Sequence, residues 1–526
     1  MVPLQLPLGT SSLLLILITV TIVLILFQNA TRYSRSGLPG PPTLPIVGSL
    51  PWLARNQPPK VALGQLAGQY GPIFEMNFGM RRMVIISSAS LANQVLVEQS
   101  GKVGGERSWM SFTRDMDLDR IFPSACANAN PIIEPCRRLN MKVLRLVGNA
   151  VTARACQQTL NSFAPSASAS SNCAGPNSPV DPMEIGMAYG LTLLTDAAFG
   201  LDLSYAEINA IPEIKQIFNV SREVLATVTL TSEFYWTFPA LCVLKPWEAF
   251  RSKSKARDIR KRFLEACDAL EKCMLDKVEQ HPGGWETWRE CTFKQTYGQN
   301  SQDGKKISLH HDDGFLHPLL QSVITLVAGA HSISAVTTAV LACLAYEPHG
   351  QQDKLHADVI HFDNEGLGQG GAPANKLEAY PPRALSIIRE TLRRFSPSPV
   401  ALPLQTSSDI HVSPNVTLHK GTMILALSEH LNAAHTQTQW DPVITPASHL
   451  ASKGSHFSFG FGRRRCPAAD FSERAIAAFV SDLVRSYRVE FEVDQRDKSM
   501  EEMMQFEYTG FNQAPRPPKI ILTHRS

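Results

Sequence analysis

Ten cysteines are scattered along the 526 residues, with no CxxC pair and no regular spacing. That distribution argues against a disulfide framework and against a structural zinc site. Most of them read as small buried hydrophobes. Cys466 differs because of its neighbours, in the segment Phe457-Ser-Phe-Gly-Phe-Gly-Arg-Arg-Arg-Cys-Pro-Ala-Ala-Asp470. Gly460 and Gly462 permit a tight, irregular backbone. Pro467 suits the first turn of a helix, and the residues that follow bury Phe471, Ile476, Phe479, Val480 and Leu483 on a helical period. Cys466 is therefore expected at a helix N-terminus beside three arginines. The helix dipole and the arginines both favour an anion, so the side chain is expected to be a thiolate. A thiolate there can act as a nucleophile, a redox centre or a metal ligand.

A second pair of interest is Glu390 and Arg393, in Glu390-Thr-Leu-Arg393. The i,i+3 spacing puts both on one helix face. Such pairs are common on solvated helices, so the spacing alone assigns no role.

The elements that must position these residues are mostly helices. Leu316 to Tyr346 reads as a long apolar helix through the core, and further helices are expected around Pro382–Arg394 and Asp470–Tyr487. Residues 70–100 read as two short strands followed by a helix. Residues 182–280 look largely helical. Residues 163–181 and 281–313 are polar and read as loops. The body is thus mainly α with minor β, in one domain spanning 53–526.

Before that body, Val2 to Phe27 carries no charged side chain, and Leu13 to Phe27 is almost purely aliphatic. The run is long enough for the about 20 helical residues that cross a hydrocarbon core. Arg32 and Arg35 follow at once, which holds that side in the cytoplasm. Residues 1–30 are therefore read as one N-terminal transmembrane helix and a single-pass anchor. A cleaved signal peptide fits less well, since the start is uncharged. Residues 31–52 are proline-rich and read as a semi-rigid hinge. The net charge of +3 and the lack of a dense Lys/Arg tract exclude nucleic acid as an expected partner.

With these residues in view, the chain resembles the cytochrome P450 family. The family's pattern Phe-x-x-Gly-x-Arg-x-Cys-x-Gly is met by Phe459, Gly462, Arg464 and Cys466, with Ala468 in the last position. The resemblance implies that haem b (iron protoporphyrin IX) is the cofactor and that Cys466 is its axial iron ligand. It implies that Arg464 pairs with a haem propionate, that Phe459 shields the sulfur, and that Glu390 and Arg393 form a buried structural pair. It also implies that Arg137, at the Arg of the family's Trp-x-x-x-Arg, can reach a propionate. Leu38–Pro42 fits the family's proline hinge, Tyr70-Gly-Pro-Ile its first strand, and Leu418–Thr422 a turn before the cysteine loop.

On the long helix the family has Ala-Gly-x-Asp/Glu-Thr, where this chain has Ala328-Gly-Ala-His-Ser332. Ala328 and Gly329 leave room for dioxygen. Ser332 can still donate a hydrogen bond, and His331 can move protons near neutral pH or simply pack against its neighbours. Further departures are Leu404 after Pro403, where the family often has Arg, Pro446-Ala-Ser448-His449 in place of Pro-x-Arg, and Ile133 in place of Trp.

The resemblance implies a monooxygenase acting on an apolar or amphipathic small molecule. Its partner would be NADPH-cytochrome P450 reductase, docked on a basic face that includes Arg463 and Arg465, in endoplasmic-reticulum lipid with the catalytic domain cytosolic. Two other readings stay open: a haem-thiolate isomerase or dehydratase that needs no external electrons, and a non-catalytic haem-binding membrane protein. Ser108–Phe122 and Val224–Phe250 are expected to line an apolar access route. The loose central sequence and long polar insertion resemble fungal members that tailor secondary metabolites.

Overall fold

The computed structural model describes residues 37–44, 48–53, 58–78, 81–103, 144, 147, 149–163, 178–227, 246–280, 318–346, 350–365, 377–401, 403–433, 440–442, 457–462, 465–495, 497–509 and 512–525. The statements below concern these residues. The expected anchor over 1–30, the Ser108–Phe122 loop, Ile133, Arg137, Pro446–His449, Arg463 and Arg464 lie outside them.

Helix α1 (Pro59–Tyr70) precedes the antiparallel strands β1 (Ile73–Phe78) and β2 (Arg81–Ile86). A short α2 (Ala89–Ala92) runs on into a wider π turn over Asn93–Glu98. The middle of the chain is helical: α3 (Asn149–Phe163), α4 (Pro182–Phe199), α5 (Tyr205–Asn209), α6 (Pro212–Thr227) and α7 (Pro246–Gln280). Next come α8 (Pro318–Tyr346), α9 (Gln351–Asn364) and α10 (Pro382–Arg394). Strands β3 (Leu404–Gln405), β4 (Ile410–Ser413), β5 (Val416–Leu418) and β6 (Met423–Ala426) lead to α11 (Ser428–Ala433). The chain closes with α12 (Ala469–Ser486), β7 (Tyr487–Phe491), α13 (Met500–Met504), β8 (Glu507–Thr509), β9 (Asn512–Ala514) and β10 (Ile520–His524).

The element ends follow from local chemistry. Asp181 caps α4, its carboxylate accepting from the Met183 amide at 2.8 Å, with Pro182 in the first turn and the left-handed Gly200 at the C-terminus. Helix α8 starts at Pro318, where a missing N–H goes unnoticed. In α10, Ala384, Ile387, Ile388, Thr391 and Leu392 are buried. That spacing of three and four is one face of a helix, and it leaves Arg389, Glu390 and Arg393 on the other.

The main core gathers α3, α4, α8, α10 and α12. Its tightest joint is α4 on α8. A Cβ at Gly186 would lie 2.6 Å from the Ser334 carbonyl, and one at Gly190 would lie 2.9 Å from the Ala330 carbonyl. Two glycines one turn apart thus let the helix backbones touch. Between them on the chain, fully buried Tyr189 stacks on Phe479 at 4.5 Å and donates to the Ala475 carbonyl at 2.5 Å, tying α4 to α12. The Thr325–Tyr346 part of α8 is long and apolar enough to cross a membrane, yet it is mostly buried, as a core helix is.

The four-stranded sheet has the order β1-β2-β6-β3, with β6 parallel to β2 and antiparallel to β3. All four residues of β6 are buried, as expected for an inner strand. The described part of the hinge is packed on β1 rather than standing free. Glu75 N–H donates to the Pro39 carbonyl at 2.8 Å, Ser49 N–H donates to the Asn77 carbonyl at 2.6 Å, and Leu38 is buried. A Cβ at Gly40 would fall 2.0 Å from the Glu75 carbonyl, so only glycine passes there.

Candidate active site

The cysteine loop lies between the sheet and α12. Phe457 and Phe461 are buried with Val84, Ile86 and Leu404 of the sheet, their rings 5.2 Å apart. Gly460 and Gly462 take φ of 78° and 47°, the left-handed region that favours glycine. Gly462 has a second constraint, since a Cβ there would lie 2.7 Å from the Leu96 carbonyl and 2.8 Å from Ser100 Cβ. The loop folds back on itself. Gly460 N–H donates to the Phe457 carbonyl at 3.0 Å, and Cys466 N–H donates to the Phe459 carbonyl at 2.7 Å. Phe459 is half-buried against the main core, and Cys466 is half-buried beside it.

Helix α12 begins at Ala469 with Ala468 as its cap, so Pro467 and Cys466 precede the helix by a step more than the sequence implied. Phe471, Ile476, Phe479, Val480 and Leu483 are buried, as their spacing requires. Exposed Arg465 and Asp470 stand 3.9 Å apart, so a carboxylate faces the arginine next to Cys466. The half-buried cysteine on its glycine-bent loop suits a haem iron: a soft thiolate is the donor that such iron accepts.

On α8, Ala328 and Ser332 are exposed, one turn apart on the same face, while the described residues around them are buried or half-buried. The Ser332 hydroxyl donates to the Ala328 carbonyl at 2.9 Å. Gly329 points elsewhere. A Cβ there would lie 2.6 Å from Leu194 Cδ1, so its lack of a side chain serves the packing of α8 on α4. Ala328, not Gly329, shares the open face with Ser332. His331 turns toward α6, its ring edge-on to Phe218 with centroids 5.1 Å apart, and its Nε2 is buried without a hydrogen-bond partner. Burial first, then the Arg222 and Arg516 charges, hold its pKa below the ordinary imidazole value. His331 is therefore neutral at pH 7.

Glu390 and Arg393 form a bidentate pair, with Arg393 Nε and Nη2 each 2.7 Å from a carboxylate oxygen. Both side chains are largely buried. The Asp441 amide donates to the same carboxylate at 3.2 Å, and Arg393 Nη1 donates to the Asn432 carbonyl at 3.2 Å. A second pair, Arg389 to Glu473 at 2.8 Å, joins α10 to α12. Leu404 is a buried core residue in β3, paired opposite Ile424, so an apolar side chain fills the place where the family often has Arg. Two residues that sequence reasoning passed over, Asn432 and Ser458, hold the loop entrance. No spacing signals Asn432, which stands in an ordinary polar run.

Known proteins resemble this chain along most of its length. The chain is 26% identical to the geranylhydroquinone 3''-hydroxylase of Arnebia euchroma, over 91% of this chain and 93% of that protein. It is 22% identical to the drimenol monooxygenase of Persicaria hydropiper over 90% of each. It is also 22% identical to the steroid 17-alpha-hydroxylase/17,20 lyase of Mesocricetus auratus, over 86% of each. The cytochrome P450 family model matches residues 38–522, nearly all of the chain. With the cysteine loop in place, this establishes that the chain belongs to the cytochrome P450 family, the haem-binding monooxygenases.

Proposed function

We propose that this protein is a membrane-anchored monooxygenase that inserts one oxygen atom from O2 into a C–H or C=C bond of an apolar or amphipathic small molecule in a biosynthetic pathway. The observation that carries the reading is Cys466, half-buried on the glycine-bent loop ahead of α12 with its N–H on the Phe459 carbonyl. Cys466 is the iron ligand in this reading, Phe459 covers its sulfur, and Arg464 and Arg137 hold the propionates. The bound haem supplies oxygen activation and transfer. Ser332 supplies a hydroxyl on the open face of α8, one that can turn from the Ala328 carbonyl toward a ligand. Neutral His331 holds a ring nitrogen one residue away, able to take up and pass on a proton once a water reaches it.

Electrons come from a separate partner, NADPH-cytochrome P450 reductase, in the same endoplasmic-reticulum membrane. The anchor over residues 1–30 keeps the catalytic domain on the cytosolic side. The relatives include a geranylhydroquinone hydroxylase and a drimenol monooxygenase, which supports a small-molecule substrate of that broad kind. These relatives are plant and animal proteins, so a fungal source rests only on the loose central sequence and the polar insertion.

The test is the ferrous–CO difference spectrum of the purified protein and of Cys466→Ala. A thiolate-type Soret band in the parent alone, followed by reductase-dependent NADPH and O2 consumption, supports the reading. A band that survives in Cys466→Ala sinks the ligand assignment. Haem turnover without NADPH would favour an isomerase or dehydratase instead.

A further inference from the structure

We propose that Asn432 is a positioning residue that fixes the entrance of the cysteine loop, and through it the Cys466 sulfur, relative to the Glu390–Arg393 pair. The proposal rests on Cys466 being the haem ligand. Asn432 sits on α11 with 0% of its surface exposed, and every polar end of it is used. Its Oδ1 accepts from the Phe457 amide at 2.9 Å. Its Nδ2 donates to Ser458 Oγ at 2.9 Å, and that hydroxyl donates onward to the Leu392 carbonyl at 2.8 Å. Its own carbonyl accepts from Arg393 Nη1 at 3.2 Å. The Phe457 amide can only donate, so the atom facing it must be the amide oxygen, and the chain of bonds has one direction.

Two other segments, the cysteine loop and α10, are joined through this one side chain and its peptide. The loop enters at Phe457 and Ser458. Helix α10 presents Leu392, whose carbonyl lies in the last turn and has no partner within the helix. The buried ion pair reaches over through Arg393. From Phe457 the loop is then fastened to itself at Gly460 and at Cys466, so a shift at its entrance is carried to the sulfur. The chemistry demands Asn. Asp offers two acceptors and no donor for the hydroxyl, Leu offers neither, and Gln displaces both ends by a methylene. Removing the amide leaves the buried Phe457 N–H without its acceptor and takes from the half-buried Ser458 hydroxyl the donor it accepts from, which moves the loop.

The experiment uses the full-length, haem-loaded protein. It follows the lifetime of the thiolate-type ferrous–CO band and the haem midpoint potential in the parent, Asn432→Leu, Ser458→Ala and Cys466→Ala. Asn432→Leu is expected to keep its haem but lose the thiolate band about tenfold faster, equivalent to about 1.4 kcal/mol, with a shifted potential. Ser458→Ala is expected to move both readouts the same way by less. A folded Asn432→Leu with parental lifetime and potential, changed only in melting temperature, overturns the proposal. Should Asn432→Leu fail to fold, Ser458→Ala decides, and parental behaviour there overturns it as well. Persistence of the band in Cys466→Ala is a different failure, that of the ligand reading beneath, and takes the proposal with it.

Discussion

At the residue scale, the alcohol and the imidazole that stand side by side in the sequence do separate things. Ser332 faces the open side of α8, while His331 is turned into the contact with Phe218. In the proposed reaction, proton delivery then depends first on the hydroxyl. Ser332→Ala should reduce product formed per NADPH consumed by about tenfold or more, in line with the size of a lost general-acid contribution. Product and NADPH measured together check this, and unchanged coupling would remove Ser332 from the mechanism. His331 makes a different prediction. Folding holds its pKa below the ordinary value of about 6.5, so in the window from there downward the unfolded chain binds the extra proton. Stability then rises with pH across that window and is lost as the pH falls through it. Urea unfolding at about pH 5 and about pH 7.5 should show the parent losing more stability on acidification than His331→Gln. Equal losses would mean that the imidazole is not the group being titrated.

At the element scale, small residues govern how closely the helices approach. Gly190→Ala places a methyl 2.9 Å from the Ala330 carbonyl, against backbone that cannot yield. The expected destabilisation is about 1–3 kcal/mol, as for overpacking elsewhere. Gly68→Ala is the matched control. It lies in α1 with nothing within 4 Å of an added Cβ, so it should be neutral or stabilising by up to about 1 kcal/mol. Thermal unfolding of the two variants separates a packing effect from a general glycine effect, and similar shifts would refute the close-approach account. The same scale shows what was legible in the sequence. Helices α8, α10 and α12 were readable because their apolar period is long and uninterrupted. The loop was readable because glycine, arginine, cysteine and proline each leave a local mark. The orientation of Gly329 was not, because which face of α8 meets α4 depends on a helix more than a hundred residues away in sequence. Asn432 was not, because its three partners come from two other segments and no local pattern unites them.

At the scale of the whole molecule, the question is where the hinge ends and the body begins. Composition placed the boundary after residue 52, since prolines break regular structure. The structure draws part of that stretch into the body. Pro39 and Ser49 each give or take a backbone hydrogen bond with β1, Leu38 is buried with the sheet, and Gly40 lies against Glu75. A chain starting at Gly37 keeps all of these contacts and sheds residues 1–36, the proposed anchor among them. It should leave the membrane fraction and hold haem like the parent. A chain starting at Leu53 loses both backbone bonds and the burial of Leu38, together about 3 kcal/mol by the usual values for a hydrogen bond and a buried leucine. Edge strand β1 would then stand with one side unpaired, a surface that invites association between molecules. Urea unfolding and light scattering of the two truncated proteins test the boundary together. The Leu53 form should unfold at lower urea and aggregate. If it matches the Gly37 form in both, the prolines are a spacer after all and the contacts to β1 contribute nothing to the fold.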